Sequence, residues 1–150
     1  MSEPDSIALS IPPLLIALSA DLVHAIDAGV RRRGFEDLRP AHGFAFARLA
    51  PDGATVNELA EHLGVTKQAA SQMVEELVRK GYVDRHPHPT DARAKLIELT
   101  GRGWACTRAA DAAAAEAVVP WESVLGAERL RELHDDLARL APSGRLRPVW

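Results

Sequence analysis

The sequence predicts a mainly α fold in which one short β-hairpin follows a run of helices. Three observations lead there. Ala, Leu and Arg are abundant while aromatic residues make up only 5% of the 150, a balance that suits helices because those side chains lose little freedom in them. Apolar residues recur at three- and four-residue steps along most of the chain. The period changes only between Tyr82 and Leu99, where two short β-type stretches flank a proline-rich loop.

The elements follow in order. From Leu14 to Arg33 the stripe Leu15, Leu18, Leu22, Ile26 and Val30 marks a long helix, with Pro12 and Pro13 expected in its first turn. Arg31, Arg32 and Arg33 fall in its last turn, where cations suit the macrodipole, and Gly34 can end it. Three consecutive arginines invite a phosphate-binding reading; a solvated helix end is the simpler one. Pro40 to Ala50 reads as a second helix, closed by the turn signal Pro51-Asp52-Gly53. Thr55 caps a third helix, with Glu58 completing a capping box. Gly64 breaks it, Thr66 caps a fourth helix that runs to about Lys80, and Gly81 stops that one. Tyr82–His86 and Ala94–Leu99 are the two strands, around a loop that prolines keep out of helix. Thr100 caps a fifth helix, Ala-rich from Ala105 to Val119, which Pro120 is expected to interrupt. A last helix carries the narrow seam Leu130, Leu133, Leu137 and Leu140, and Pro142 and Gly144 are expected to end it.

Two helices joined by a few residues around a glycine, followed directly by a hairpin, make a winged helix-turn-helix with a two-stranded wing. We expect it at residues 40–100, within a single unit spanning 1–150 and flanked by N- and C-terminal dimerisation helices at 10–34 and 101–141. The two terminal leucine stripes are too long for so small a core to cover, so they are expected to pair across a two-fold axis.

Bulk properties restrict the function without choosing it. A net charge of −3 does not advertise a nucleic-acid partner, and residues 55–100 are close to neutral. No unbroken apolar run approaches the roughly 20 residues of a membrane span, and no basic stretch precedes the first apolar patch as in a secretory signal. Cys106 is the sole cysteine, so no internal disulfide can form. These features lead us to expect a soluble cytoplasmic protein with no membrane partner.

The fourth helix carries the sharper signal. Ala70, Met73, Val74, Leu77 and Val78 fall on one face, suited to packing on Val56, Leu59 and Leu63. Gln68, Ser71, Gln72, Glu75 and Arg79 fall on the other, with Lys67 leading from the first turn. Those first two turns contain no acid. Gln can pair with adenine, Ser is permissive and Lys can reach guanine or phosphate, so this face suits a DNA major groove. A merely solvated amphipathic face is the plain alternative. The hairpin adds weight, because Arg93 stands near its tip, where an arginine can enter a narrow minor groove. Asp91 is expected to hold that arginine extended by a charge-assisted bond.

The stretch Val65-Thr-Lys-Gln-Ala-Ala-Ser-Gln-Met-Val74, the later Lys80-Gly-Tyr-Val83, and Pro89-Thr-Asp-Ala-Arg-Ala-Lys-Leu-Ile-Glu-Leu-Thr-Gly-Arg-Gly103 closely resemble the MarR family of bacterial transcription regulators. The Asp-x-Arg then Leu-Thr-x-x-Gly pattern after a helix-turn-helix is far more specific than the helix-turn-helix alone. The resemblance implies a homodimer, probing a pseudo-palindromic double-stranded DNA operator, that responds to a small ligand, an oxidant or a metal. By position it implies Thr66, Lys67, Gln68, Ser71 and Gln72 at the major groove, Arg93 in the minor groove and Asp91 orienting it. The second helix, Arg39-Pro-Ala-His-Gly-Phe44, departs from many relatives in the residue after His42. Because that helix helps line the family's ligand cavity, His42 and Phe44 are the ligand-site candidates while the effector itself stays open.

Other chemistry is weaker. Cys106, beside Trp104, reads as a buried inert thiol before a redox switch. His86 and His88 on the wing form half a metal site at best. His24 and His134 are solitary helix histidines. No triad, phosphate loop or carboxylate pair points to an enzyme, and no cofactor or metal site is expected. Two functions remain: a ligand-responsive DNA-binding repressor, and a winged-helix module that binds another protein without reading DNA.

Overall fold

In the computed structural model, which describes residues 3–141 and 146–148, six helices and one hairpin follow the expected order. Helix α1 spans Glu3–Arg32, α2 Pro40–Leu49, α3 Val56–Leu63, α4 Lys67–Arg79, α5 Gly101–Leu125 and α6 Ala127–Leu140. Strands β1 (Val83–Pro87) and β2 (Lys95–Leu99) pair antiparallel, with Val83 opposite Leu99 and Pro87 opposite Lys95. The residues expected to end α6, Pro142 and Gly144, lie outside the described ones.

The caps are where the sequence placed them. Thr55 accepts the Glu58 N–H at 3.2 Å while the Glu58 carboxylate accepts the Thr55 N–H at 2.8 Å. Gly64, at φ 68°, takes the left-handed conformation that turns α3 into α4 and that a Cβ would strain. Thr66 and Thr100 cap α4 and α5 in the same way. Gly103 has a different task, since a Cβ there would stand 2.3 Å from the Tyr82 carbonyl oxygen. Only a glycine lets α5 start this close to the wing.

The core lies between α2, α3, α4, the wing and the ends of α1 and α5. Leu49, Leu59, Leu63, Val74, Leu77, Tyr82, Val83 and Ile97 are sealed in it. Ala54 joins the sheet through a bridge to Ile97, with bonds of 3.0 and 2.8 Å. Alternation could not reveal that one-residue edge in the sequence.

Three expectations need correction. Pro12 and Pro13 sit inside α1, which begins about two turns earlier than expected, and Pro120 sits inside α5 rather than interrupting it. Proline removes an N–H from the helix ladder. Pro120 and its would-be acceptor Glu116 are both exposed, so water can satisfy the orphaned carbonyl. The third correction concerns the membrane test. Ser6–Arg32 is a stretch of α1 long and apolar enough to cross a membrane by length and composition. Uncharged Ser and Pro interrupt the apolar runs without lowering the average much, so counting unbroken runs missed it. Length and composition are weak evidence, because a helix whose apolar sides are covered by packing passes the same test.

Candidate nucleic-acid interface

Helix α4 is pinned from within by Ala70, Val74 and Leu77, all fully buried, and flanked by half-buried Met73 and Val78. Geometry then decides what the opposite face shows. Thr66, Lys67, Gln68 and Gln72 are exposed and Ser71 is half-buried. Thr66 is the N-cap, its hydroxyl accepting the Ala69 N–H at 3.1 Å. That hydroxyl is committed to the helix, so Thr66 contributes the start of the recognition turn more than a free donor. Lys67, Gln68 and Gln72 form the open polar strip, with Glu75 and Arg79 further along.

The wing lies beside this strip in sequence and fold. Arg85, Arg93 and Lys95 are all exposed on it. The expected ion pair between Asp91 and Arg93 is replaced by a backbone bond, in which Asp91 Oδ1 accepts the Arg93 N–H at 2.9 Å. A short carboxylate two residues upstream reaches its neighbour's N–H more readily than a long guanidinium. Asp91 therefore shapes the turn, and the Arg93 guanidinium has no ion pair among the described residues. His88 works with it, its Nδ1 accepting the N–H groups of Thr90 at 3.2 Å and Asp91 at 3.1 Å. His86 instead faces Glu98 across the strands at 3.5 Å. Among the described residues no group of three or more His, Cys, Asp or Glu is placed to hold a metal ion.

Cys106 is buried, and burial pushes its thiol up to about 11. A thiol so far from ionising is a poor nucleophile. Trp104 is half-exposed beside an open cleft of about 200 Å³ that also touches Asp52, His86 and Glu98. A second, larger groove of about 540 Å³ runs between α5 and α6, lined by Val118, Trp121, Leu130, Leu133 and Leu137 among others. Neither hollow touches the ligand candidates His42 and Phe44. His42 is fully buried and Phe44 half-buried against the core.

Sequence reasoning missed a polar cluster behind α4. Glu76 accepts from Lys80 Nζ at 2.8 Å and Arg39 Nη2 at 3.0 Å, with His42 Nε2 at 3.5 Å. The Lys80 bond, with the charges of His42, Lys80 and Arg39, lowers Glu76 to about 2. Asp37 accepts from the Tyr82 hydroxyl at 2.7 Å and from Arg102 at 3.3 Å. Burial first, and Asp37 second, push Tyr82 up to about 12. The Glu76–Lys80 pair was legible as a helix i,i+4 pair. Its partner Arg39 lies 37 residues away in sequence, beyond any local pattern.

Comparison with known proteins agrees with this architecture. A family model described as MarR family matches residues 39–94. The RV1404 protein of Mycobacterium tuberculosis is similar in structure, at 23% identity over 99% of this chain and 98% of its own, with a TM-score of 0.75. MarR of E. coli in its apo form is also similar, at 23% identity over 86% of this chain and 95% of its own, with a TM-score of 0.71. A variant of MepR from S. aureus bound to an oligodeoxyribonucleotide is similar at 23% identity over 89% of this chain and 97% of its own, with a TM-score of 0.62. No sequence match is found among curated proteins. Residues 39–94, which carry the helix-turn-helix and the first strand of the wing, are similar to the MarR family model, and the chain has the fold of the E. coli MarR structure.

Proposed function

We propose that the protein is a homodimeric transcription regulator that binds a pseudo-palindromic DNA operator, acts as a ligand-responsive repressor and works in the cytoplasm. The observation that carries the reading is the exposed, acid-free start of α4, with Lys67, Gln68 and Gln72 projecting beside a wing whose Arg93 is unpaired among the described residues. Lys67, Gln68, Ser71 and Gln72 take the major groove. Arg93 takes the minor groove on a turn that Asp91 and His88 hold rigid, and Thr66 fixes the helix start. MepR, of the same fold, is known bound to an oligodeoxyribonucleotide, which supports DNA as the partner.

Dimerisation has independent support. Nearly every apolar side chain on the first half of α1 is exposed, Ile16 by 65%, and the open groove between α5 and α6 is apolar. A second copy covers both. The effector we propose is a small aromatic acid seated beside the half-buried Phe44, where α2 meets the dimer helices. His42 borders that seat from inside the fold.

Selection of duplexes from a random pool at low salt, followed by footprinting of the enriched site, tests the reading. An inverted repeat with half-sites about one helical turn apart is the expected result. Failure to enrich any repeat would move the assignment to a protein-binding winged helix, the function that near-neutral charge allows. Stabilisation by aromatic acids in thermal-shift screening tests the effector.

A further inference from the structure

The groups behind α4 form one connected polar strap. In the last turn of α1, Arg31 is held by Asp27 at 2.8 Å and donates to the carbonyls of Glu36 at 3.2 Å and Leu38 at 3.0 Å. That fastens the α1–α2 connector to α1. From the connector, Asp37 receives Tyr82 and Arg102, its carbonyl receives Lys80, and Arg39 reaches Glu76. His42 adds its ring to the same carboxylate, and its Nδ1 accepts the Arg39 N–H at 3.0 Å. The Arg31, Lys80 and Arg39 links run from α1 through the connector to the rear of α4, while Asp37 also ties the connector to Tyr82 and to Arg102 of α5. None of these side chains lies on the strip formed by Lys67, Gln68 and Gln72.

Glu76 is the point where the links converge. It is three-quarters covered and takes three donors, from Arg39, His42 and Lys80, so removing its charge takes away the counter-charge that Arg39 and Lys80 share. A two-site DNA reader binds well only when its recognition helices match the half-site spacing, because the second contact is then made at high effective concentration. The direct apolar packing of α4 fixes it to α3, whereas the strap fixes it to the helix that leads into the dimer.

We propose that Glu76 is a positioning residue for DNA binding: by joining Arg39, His42 and Lys80 it holds α4 at a fixed place relative to α1, and so sets the spacing of the two recognition helices. The inference rests on the dimeric DNA-binding reading above.

The test compares full-length wild type with Glu76→Gln on two duplexes, the selected inverted repeat and the same DNA with one half-site scrambled. Glu76→Gln should lower the ratio of full-site to half-site affinity by about tenfold, a fraction of what bivalent binding supplies, while half-site affinity stays within about twofold. It should also flatten the loss caused by inserting one base pair between half-sites. Gln68→Ala, a groove residue, should weaken both duplexes together. Asp37→Ala is the second variant should Glu76→Gln fail to fold, and Arg39→Lys, which keeps the donor charge, should retain the wild-type ratio. If the wild type selects a repeat but folded, dimeric Glu76→Gln keeps its ratio and its spacing preference, this inference falls alone. If the wild type selects no repeat, both readings fall.

Discussion

At the scale of single residues, the proposed reading divides the work of binding between the wing and helix α4. Minor-groove contacts distinguish A·T from T·A poorly, and Arg93 is exposed with its backbone, not its guanidinium, tied to Asp91. Arg93→Ala should therefore weaken binding to most operator variants together and flatten the salt dependence by about one unit of slope. Gln68→Ala or Gln72→Ala should instead relax preference at one base pair per half-site, by about 1–3 kcal/mol, and leave the slope nearly unchanged. Titrations at several salt concentrations separate the two patterns. His42 gives a pH prediction. Burial lowers its pKa, against Glu76, which raises it, and Arg39 and Lys80, which lower it further. With the folded value below the unfolded one, the unfolded chain binds the extra proton first, so stability is full above the ordinary imidazole value of about 6.5 and declines below it. Denaturant midpoints between pH 7.5 and 5.5 should fall for wild type and stay flatter for His42→Gln. Glu76 works in a lower window, since its lowered value means stability is lost as pH falls from the ordinary carboxylate range towards about 2.

At the scale of elements, what the sequence made legible was local. Thr55 with Glu58, Thr66, Gly64 and Thr100 are signals read within four residues, and each boundary they mark is where it was expected. The buried face of α4 was equally plain, because 3.6-residue periodicity needs no partner to be seen. The proline readings failed for a related reason: whether a proline stops a helix depends on what satisfies the freed carbonyl, and around Pro120 that is solvent. Asp91 holds the Arg93 N–H because two donors, that N–H and the guanidinium, were open to one carboxylate and the nearer one won. The strap through Asp37, Arg39 and Glu76 joins residues that sequence order keeps apart. Gly103 links the motif to the fold, and it offers a test at this scale. A Cβ 2.3 Å from the Tyr82 carbonyl must push the start of α5 off the wing, which core overpacking data place at about 1–3 kcal/mol. Gly103→Ala should lower the free energy of unfolding by that amount, whereas Gly101→Ala, where a Cβ meets nothing within 4 Å, should leave it close to wild type.

At the scale of the whole molecule, the distribution of apolar surface is the feature that most needs a second chain. Helix α6 has no buried residue, Leu140 is 79% exposed, and α1 shows Ile7, Leu9, Leu14, Leu15 and Ile16 to solvent. Exposure of so many large apolar side chains is rare on a monomer and marks an interaction face. Its position on α1 and α6, away from the strip on α4, would leave that strip free in the proposed dimer. The consequence is measurable in two ways. Unfolding of an obligate dimer depends on protomer concentration, so the thermal midpoint should rise between low and high micromolar protein. An exposed leucine on a monomer can be replaced at a cost within about 0.5 kcal/mol, but in a dimer seam the same change places a charge among apolar groups. Leu15→Glu should therefore yield monomer by light scattering, remove the concentration dependence and abolish preference for an inverted repeat over a single half-site. A Leu15→Glu protein that keeps the wild-type mass and midpoint would show that this face of α1 is not in the interface, and a wild type that remains monomeric at micromolar concentration would remove the dimer altogether.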